Sequence, residues 1–266
     1  MPDEFVVFRD VAFKHPEARR EDPVVLEGLS FSIRRGEFLC LLGPSGCGKT
    51  SVLNLLAGFE SPTSGTITLG GQPLRGPGVD RGVVFQGDES LYHWLTALEN
   101  VDFGLRVAGK SKPERRATAS DCLALVGLKG QEHKYPSELS GGMKQRVKIA
   151  RALVCDSEIL LMDEPFAAVD AQTRTMLQDE LVEIWNKTGR TILFVTHDIT
   201  EAISLADRIA VMRRGPCSHV REIIPCELPR PRDRSDPQFG QLYAQISRLV
   251  AEEVLARECE AAPSWP

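Results

Sequence analysis

Gly43-Pro44-Ser45-Gly46-Cys47-Gly48-Lys49-Thr50 fulfils the pattern G-x-x-x-x-G-K-[ST], and no other feature constrains the chain as strongly. Before it runs Phe38-Leu39-Cys40-Leu41-Leu42, an unbroken apolar run such as a strand buried on both faces shows. After it, Val52, Leu53, Leu55 and Leu56 recur at helical spacing, and Gly58 is a helix stop. Strand, glycine-rich loop and helix in that order read as a phosphate-binding loop. Glycines let the backbone wrap until successive N–H groups converge on phosphate oxygens. The helix that starts here adds the positive end of its dipole. Lys49 is placed to reach the β- and γ-phosphates and the Thr50 hydroxyl to coordinate Mg²⁺, with Ser51 beside them as a further nucleotide contact. Cys47 lies inside the loop and carries two readings. It is either a tolerated variable position or a reactive thiol, because helix N-termini lower thiol pKa values.

The rest of the chain alternates strands and helices. Strand patterns cover residues 5–13, 24–33, 66–69, 83–85, 159–162, 191–196 and 209–212. Residues 16–23 read as a Pro-bounded loop and 34–37 as a turn. From about 96 to 154 the pattern is mostly helical, with breaks near Gly109 and at Tyr135-Pro136. Residues 172–187 form a helix with Leu177, Leu181, Ile184 and Trp185 on one face, and Asp198 caps a short helix. A last amphipathic helix carries Phe239, Leu242, Ile246, Leu249, Val250 and Val254, a stripe expected to pack on the protein's own core, the alternative being a partner-binding face. The expected fold class is α/β, with a largely parallel sheet covered on both faces.

Ile159-Leu160-Leu161-Met162-Asp163-Glu164 ends a buried strand in two acids. That places Asp163 at the sheet edge where Mg²⁺ is held, and Glu164 toward an attacking water as general base or water-orienting group.

Bulk properties exclude several classes. The 266 residues suit one or two domains, and a formal net charge of -5 gives no sign of a general nucleic-acid binder. No stretch approaches the roughly 18 apolar residues needed to span a bilayer. The acidic start, Met1-Pro2-Asp3-Glu4-Phe5, lacks the features of a signal peptide, so a cytosolic location is expected unless another subunit holds the chain at a membrane. Seven cysteines without a CxxC read as free thiols in a reducing compartment, and Cys217, His219 and Cys226 match no common zinc spacing.

Leu139-Ser140-Gly141-Gly142-Met143-Lys144-Gln145-Arg146 resembles the signature motif of the ATP-binding cassette (ABC) family. Val84-Phe85-Gln86 resembles that family's Q-loop, Ala167-Ala168-Val169-Asp170 its D-loop and Val195-Thr196-His197-Asp198 its H-switch. The resemblance covers roughly residues 5–255. It implies a P-loop NTPase (RecA-like) core with an N-terminal antiparallel β-subdomain and an inserted α-helical subdomain. In residue terms, one ATPase domain spans 1–255, with the core and β-subdomain in 1–95 and 156–227 and the helical subdomain in 96–155. A tail with the amphipathic helix occupies 228–266, too short for a large regulatory domain.

The resemblance also implies roles. Residues 43–51 bind ATP, and Thr50, Asp163 and Gln86 hold Mg²⁺. Glu164, His197, Gln86 and Lys49 carry catalysis, with His197 on the γ-phosphate. Ser140, Gly141 and Gly142 cap the γ-phosphate of an ATP held by a second copy of the chain. The family's adenine-stacking aromatic has no full counterpart: His15 falls at that position and Phe13 lies two residues earlier. Segments 76–86, 94–101, 196–202 and 228–233 are similar to the nitrate, sulfonate and taurine importer branch, while 87–93 departs from it. The expected protein is therefore the ATP-hydrolysing motor subunit of an importer, peripheral on the cytoplasmic face of the inner membrane. Its partners would be a second copy, transmembrane permease subunits and, indirectly, an extracytoplasmic substrate-binding protein, with no nucleic acid. The alternative is a soluble cassette ATPase of DNA repair or the ribosome. The transported substrate is not readable from this chain.

Overall fold

The computed structural model describes residues 4–17, 23–87 and 90–260, with side chains as far as 253. Most of the expected 16–23 loop, Asp88 and Glu89 of the divergent segment, and Val254 of the terminal stripe lie outside what is described. The chain divides into two compact units, residues 1–76 with 193–266, and residues 77–192.

The first unit contains an antiparallel sheet in the order β2-β1-β4-β5, from β1 (Glu4–Phe13), β2 (Leu26–Arg34), β4 (Ser64–Leu69) and β5 (Gln72–Pro73). Alternation on β1 turns Val6, Phe8, Val11 and Phe13 inward, and Phe8 stacks on Phe31 of β2 at 4.6 Å between ring centroids. Its second sheet region runs β10-β9-β3-β8, from β3 (Phe38–Leu42), β8 (Thr191–Thr196, which enters this unit at Leu193), β9 (Arg208–Met212) and β10 (Val220–Pro225). β3 pairs parallel with β9 from Leu39↔Arg208 to Leu42↔Val211, and β10 closes the edge antiparallel. Every residue of β3 and β8 is buried, as continuous apolar runs require of strands covered on both faces.

Three helices complete this unit: α1 (Lys49–Ala57), α6 (Ile199–Leu205) and α7 (Pro237–Glu260). α1 buries Val52, Leu53, Leu55 and Leu56 and stops at Gly58 in the left-handed conformation. Full burial of each such side chain contributes about 1.5–3 kcal/mol. On α7, Phe239 and Ile246 are buried and Leu242, Leu249 and Val250 half-buried, so this stripe packs on the unit's own core, against α6 and β9.

The second unit holds β6 (Arg81–Val84) paired parallel with β7 (Ile159–Asp163), and helices α2 (Ala97–Val107), α3 (Lys112–Leu125), α4 (Gly141–Leu153) and α5 (Ala171–Thr188). The expected break at Tyr135-Pro136 is a short 3₁₀ helix, Pro136–Glu138. A capping box joins Thr96 and Glu99 at the start of α2.

Sequence patterning missed β5 and β10 and misplaced β6. The strand expected at 83–85 begins at Arg81 instead, because the parallel ladder with β7 starts at Arg81↔Ile159, and Phe85 lies outside it, 41 % exposed. β5 is an edge strand of two exposed residues, and β10 an edge strand in which only Ile224 is fully buried, so neither bears an apolar alternation to read.

Candidate nucleotide-binding site

In the first unit, the loop from Gly43 to Gly48 links the buried end of β3 to the start of α1. Gly46 and Gly48 have φ of 78° and 89°, and Gly48 forms the N-cap of α1 with no side-chain hydrogen bond across it. A Cβ on Gly48 would stand 2.8 Å from Leu26 Cδ2, so both conformation and space restrict that position to glycine. A helix opened by glycine rather than capped by a side chain leaves its first N–H dipoles directed at whatever lies before it.

Lys49 is 5 % exposed, and its ammonium donates to the carbonyl oxygens of Gly43 (2.8 Å) and Pro44 (3.0 Å). The cation thus lies within the curl of its own loop. Ser45, Gly46 and Thr50 are exposed, Pro44 is half-buried and Ser51 is buried. Cys47 is fully buried, and burial pushes its thiol pKa up, outweighing the lowering by Lys49. Burial therefore weighs against the reactive-thiol reading.

His197 follows β8 and is exposed. Its neighbours fix its backbone. The Thr196 hydroxyl donates to Glu201 (2.7 Å) and accepts from the Asp198 amide (3.0 Å), while Asp198 caps α6 by accepting from the Thr200 amide (2.7 Å). Glu201 is 6 % exposed and was not singled out in the sequence, where it reads as one more acid in a helix. Phe13 is 1 % exposed and belongs to the core, so of the two adenine-stacking candidates only His15 presents a free face. The His15 ring meets Phe13 edge-on at 5.0 Å and lies 3.8 Å from Glu60.

In the second unit, β7 delivers Asp163, 8 % exposed, at its end. Glu164 follows at φ 41°, a left-handed conformation that costs a non-glycine residue about 1–3 kcal/mol and clusters at functional positions. Ser140 caps α4, its hydroxyl accepting from the Met143 amide at 3.3 Å, with Gly141 opening the helix. A Cβ on Gly142 would stand 2.8 Å from Thr173 Cγ2, which keeps that position small where α4 meets α5. Asp170 caps α5 in turn, and the Thr173 amide it accepts from lowers its pKa.

Gln86 is exposed beyond β6. The segment after it is held by α4: the Lys148 ammonium donates to the Gly87 carbonyl, and Arg151 to the Ser90 carbonyl at 2.6 Å. Lys148 is 3 % exposed, and burial lowers the Arg151 pKa. Sequence reading passed over both cations, although two charges three apart on a largely buried helix face are a signal.

Each unit therefore groups part of the expected set. Lys49, Thr50, the loop glycines and His197 belong to the first, and Gln86, Asp163, Glu164 and Ser140–Gly142 to the second. Among the described residues no helix is long and apolar enough to cross a membrane, and no group of His, Cys, Asp and Glu could hold a metal by protein ligands alone.

Residues 26–167 match the ABC transporter family. The chain is 46 % identical over 244 residues to the bicarbonate transport ATP-binding protein CmpD of Synechocystis sp., covering 90 % of this chain and 86 % of that one. It is 47 % identical over 228 residues to the nitrate import ATP-binding protein NrtD of Synechococcus elongatus, covering 84 % and 83 %. Among solved structures, it is similar to the dimeric ATP-binding cassette MJ0796 in a post-hydrolysis state bound to ADP and Pi. The TM-score is 0.72 and the identity 31 %, over 84 % of this chain and 100 % of that one.

Proposed function

The chain belongs to the ABC transporter family, and from that premise we propose that it is the ATP-hydrolysing motor subunit of an importer of small anions. The observation that carries the ATP-driven reading is Lys49, drawn inside a loop whose helix is opened by glycine. An ammonium held by neutral acceptors, two carbonyls and the Cys47 sulfur, exchanges them for charged phosphate oxygens when a triphosphate enters. The importer reading rests on relatives named for nitrate import and bicarbonate transport.

Each residue then has a task. Residues 43–51 hold the triphosphate of ATP, and the exposed face of His15 meets the base. The Thr50 hydroxyl, the Asp163 carboxylate and the Gln86 amide are oxygen donors, a set that suits a hard cation such as Mg²⁺. Held by them, Mg²⁺ would neutralise charge on the phosphates. Glu164 orients a water and accepts its proton as that water attacks the γ-phosphorus, the bond to the β-phosphate oxygen breaks, and ADP and phosphate form. His197 contacts the γ-phosphate. Ser140, Gly141 and Gly142 offer the α4 N-terminus to the ATP of a second copy, so two chains complete two sites.

Closure of that pair would drive separate permease subunits, on which the chain would dock at the cytoplasmic face of the membrane. Trp94 is 72 % exposed and would offer an aromatic contact to a partner. A binding protein outside the membrane would supply the anion, and no role for nucleic acid is assigned. No observation favours the DNA-repair or ribosomal alternative.

The test is a pull-down of the tagged chain from detergent-solubilised membranes, with uptake assays in the same cells. Integral membrane partners and loss of uptake of one small anion in a Glu164→Gln strain are expected. Recovery of ribosomes or nucleic acid instead would refute the importer reading.

A further inference from the structure

The segment after β9 forms a wall behind the Gly43–Gly48 loop. Met212 ends β9, and its Cβ stands 3.1 Å and its carbonyl oxygen 3.4 Å from where a Cβ on Gly43 would be. A Cβ on Gly215 would stand 3.4 Å from the Gly46 carbonyl oxygen. Further along, Cys217 and Ser218 donate their amides to Val24 (2.9 Å) and Val25 (3.0 Å). Val25 and Leu26 are in turn the side chains that close on Gly48. Residues 212–218 therefore meet the loop at Gly43 and Gly46, and reach Gly48 through one intermediary.

At the end nearer β9, α7 adds a hold on this wall. Glu253, 8 % exposed, accepts from the Arg214 amide at 3.3 Å, one residue before Gly215, and lies 3.8 Å from Arg213 Nε. Its other oxygen accepts from Arg221 of β10 at 2.8 Å, and the same nitrogen donates to the Leu249 carbonyl at 3.1 Å. One nearly buried carboxylate from the terminal helix thus ties together two arginine side chains and a backbone amide. Its contacts on the wall end one residue short of the loop's own contact.

We propose that Glu253 is a positioning residue for nucleotide binding: through Arg213, Arg214 and Gly215, α7 holds the phosphate-binding loop in its binding-competent curl. The proposal rests on the assignment of Gly43–Thr50 to phosphate binding. Glu253 does not touch the nucleotide. A loop ordered in advance does not spend binding energy on its own ordering. Loss of the brace weakens ground-state and transition-state binding alike, so KM rises while kcat holds.

Steady-state ATPase kinetics, binding of a fluorescent ATP analogue and thermal melting test this on the full chain. Glu253→Ala is expected to raise KM for ATP about tenfold with kcat within about twofold of wild type. Glu253→Gln is isosteric, keeps an oxygen for the Arg214 amide and guards against a folding failure of the first variant. It is expected to raise KM about threefold. An unchanged KM in the folded variants, with only a lower melting temperature, overturns the proposal, as does a fall in kcat at constant KM. Lys49→Ala, run alongside, is expected to lose nucleotide binding. Retained affinity there would refute the phosphate-loop assignment itself, an outcome distinct from an unchanged KM in Glu253→Ala.

Discussion

Lys148, nearly buried on α4, donates its ammonium to the carbonyl of Gly87, the residue directly after Gln86. The helix capped by Ser140 therefore holds the segment that carries Gln86, and Arg151 adds a second hold at Ser90. Lys148→Met keeps the length of the side chain and removes the donor. Loss of a charged hydrogen bond at a buried site is expected to cost about 2 kcal/mol of stability. With Gln86 less well placed, kcat is expected to fall roughly tenfold. Melting curves and single-turnover rates check both, and an unchanged rate would show that this hold does not govern Gln86.

Glu164 occupies a conformation that favours glycine, with φ 41° directly after the buried strand β7. Glu164→Gly relieves that backbone, and the strain released, about 1–3 kcal/mol, meets or exceeds the added entropy of the unfolded chain. We expect an unfolding temperature equal to or above wild type, with turnover down at least about a hundredfold from loss of the proposed general base. Calorimetry and phosphate-release assays decide it. A variant that stays active, or melts well below wild type, contradicts the role given to this residue.

Cys47 tests the balance of two opposing effects. Burial raises its thiol pKa and Lys49 lowers it, with burial the larger. A raised pKa reduces the thiolate fraction at any given pH, so alkylation is suppressed at pH 7 and grows only above the ordinary thiol range. Maleimide labelling followed by mass spectrometry is expected to modify Cys47 at least roughly tenfold more slowly than a free cysteine at pH 7. Rapid labelling there would place the thiol in a different environment.

These residues mark how far the sequence carries. The strand, loop and helix around Gly43–Thr50 were legible because each follows from local chemistry: an apolar run, glycines with positive φ, and helical spacing of Val52, Leu53, Leu55 and Leu56. The same holds for β7 ending in Asp163 and for the Ser140 cap of α4. What escaped depends on distant partners. Lys148 reads as a surface cation until Gly87 is beside it, and Glu253 as one acid in a charged tail until Arg214 and Arg221 converge on it. The choice between Phe13 and His15 needed burial, because two residues apart they would share one face of an extended strand, whereas β1 ends at Phe13 and His15 lies exposed beyond it. β10 escaped because an edge strand with one buried side chain, Ile224, carries no period-2 apolar pattern.

The central claim is that this chain hydrolyses ATP in a site finished by a second copy of itself. The direct measurement is the mass of the Glu164→Gln variant in solution, by light scattering, with ATP, with ADP and without nucleotide. Blocked turnover should trap the closed pair, so ATP is expected to double the mass while ADP leaves it at that of one chain. Adding Ser140→Arg, which fills the α4 N-terminus with a like-charged bulky group, should return the ATP sample to one chain. A Glu164→Gln variant that binds ATP yet keeps the mass of a single chain would contradict the account.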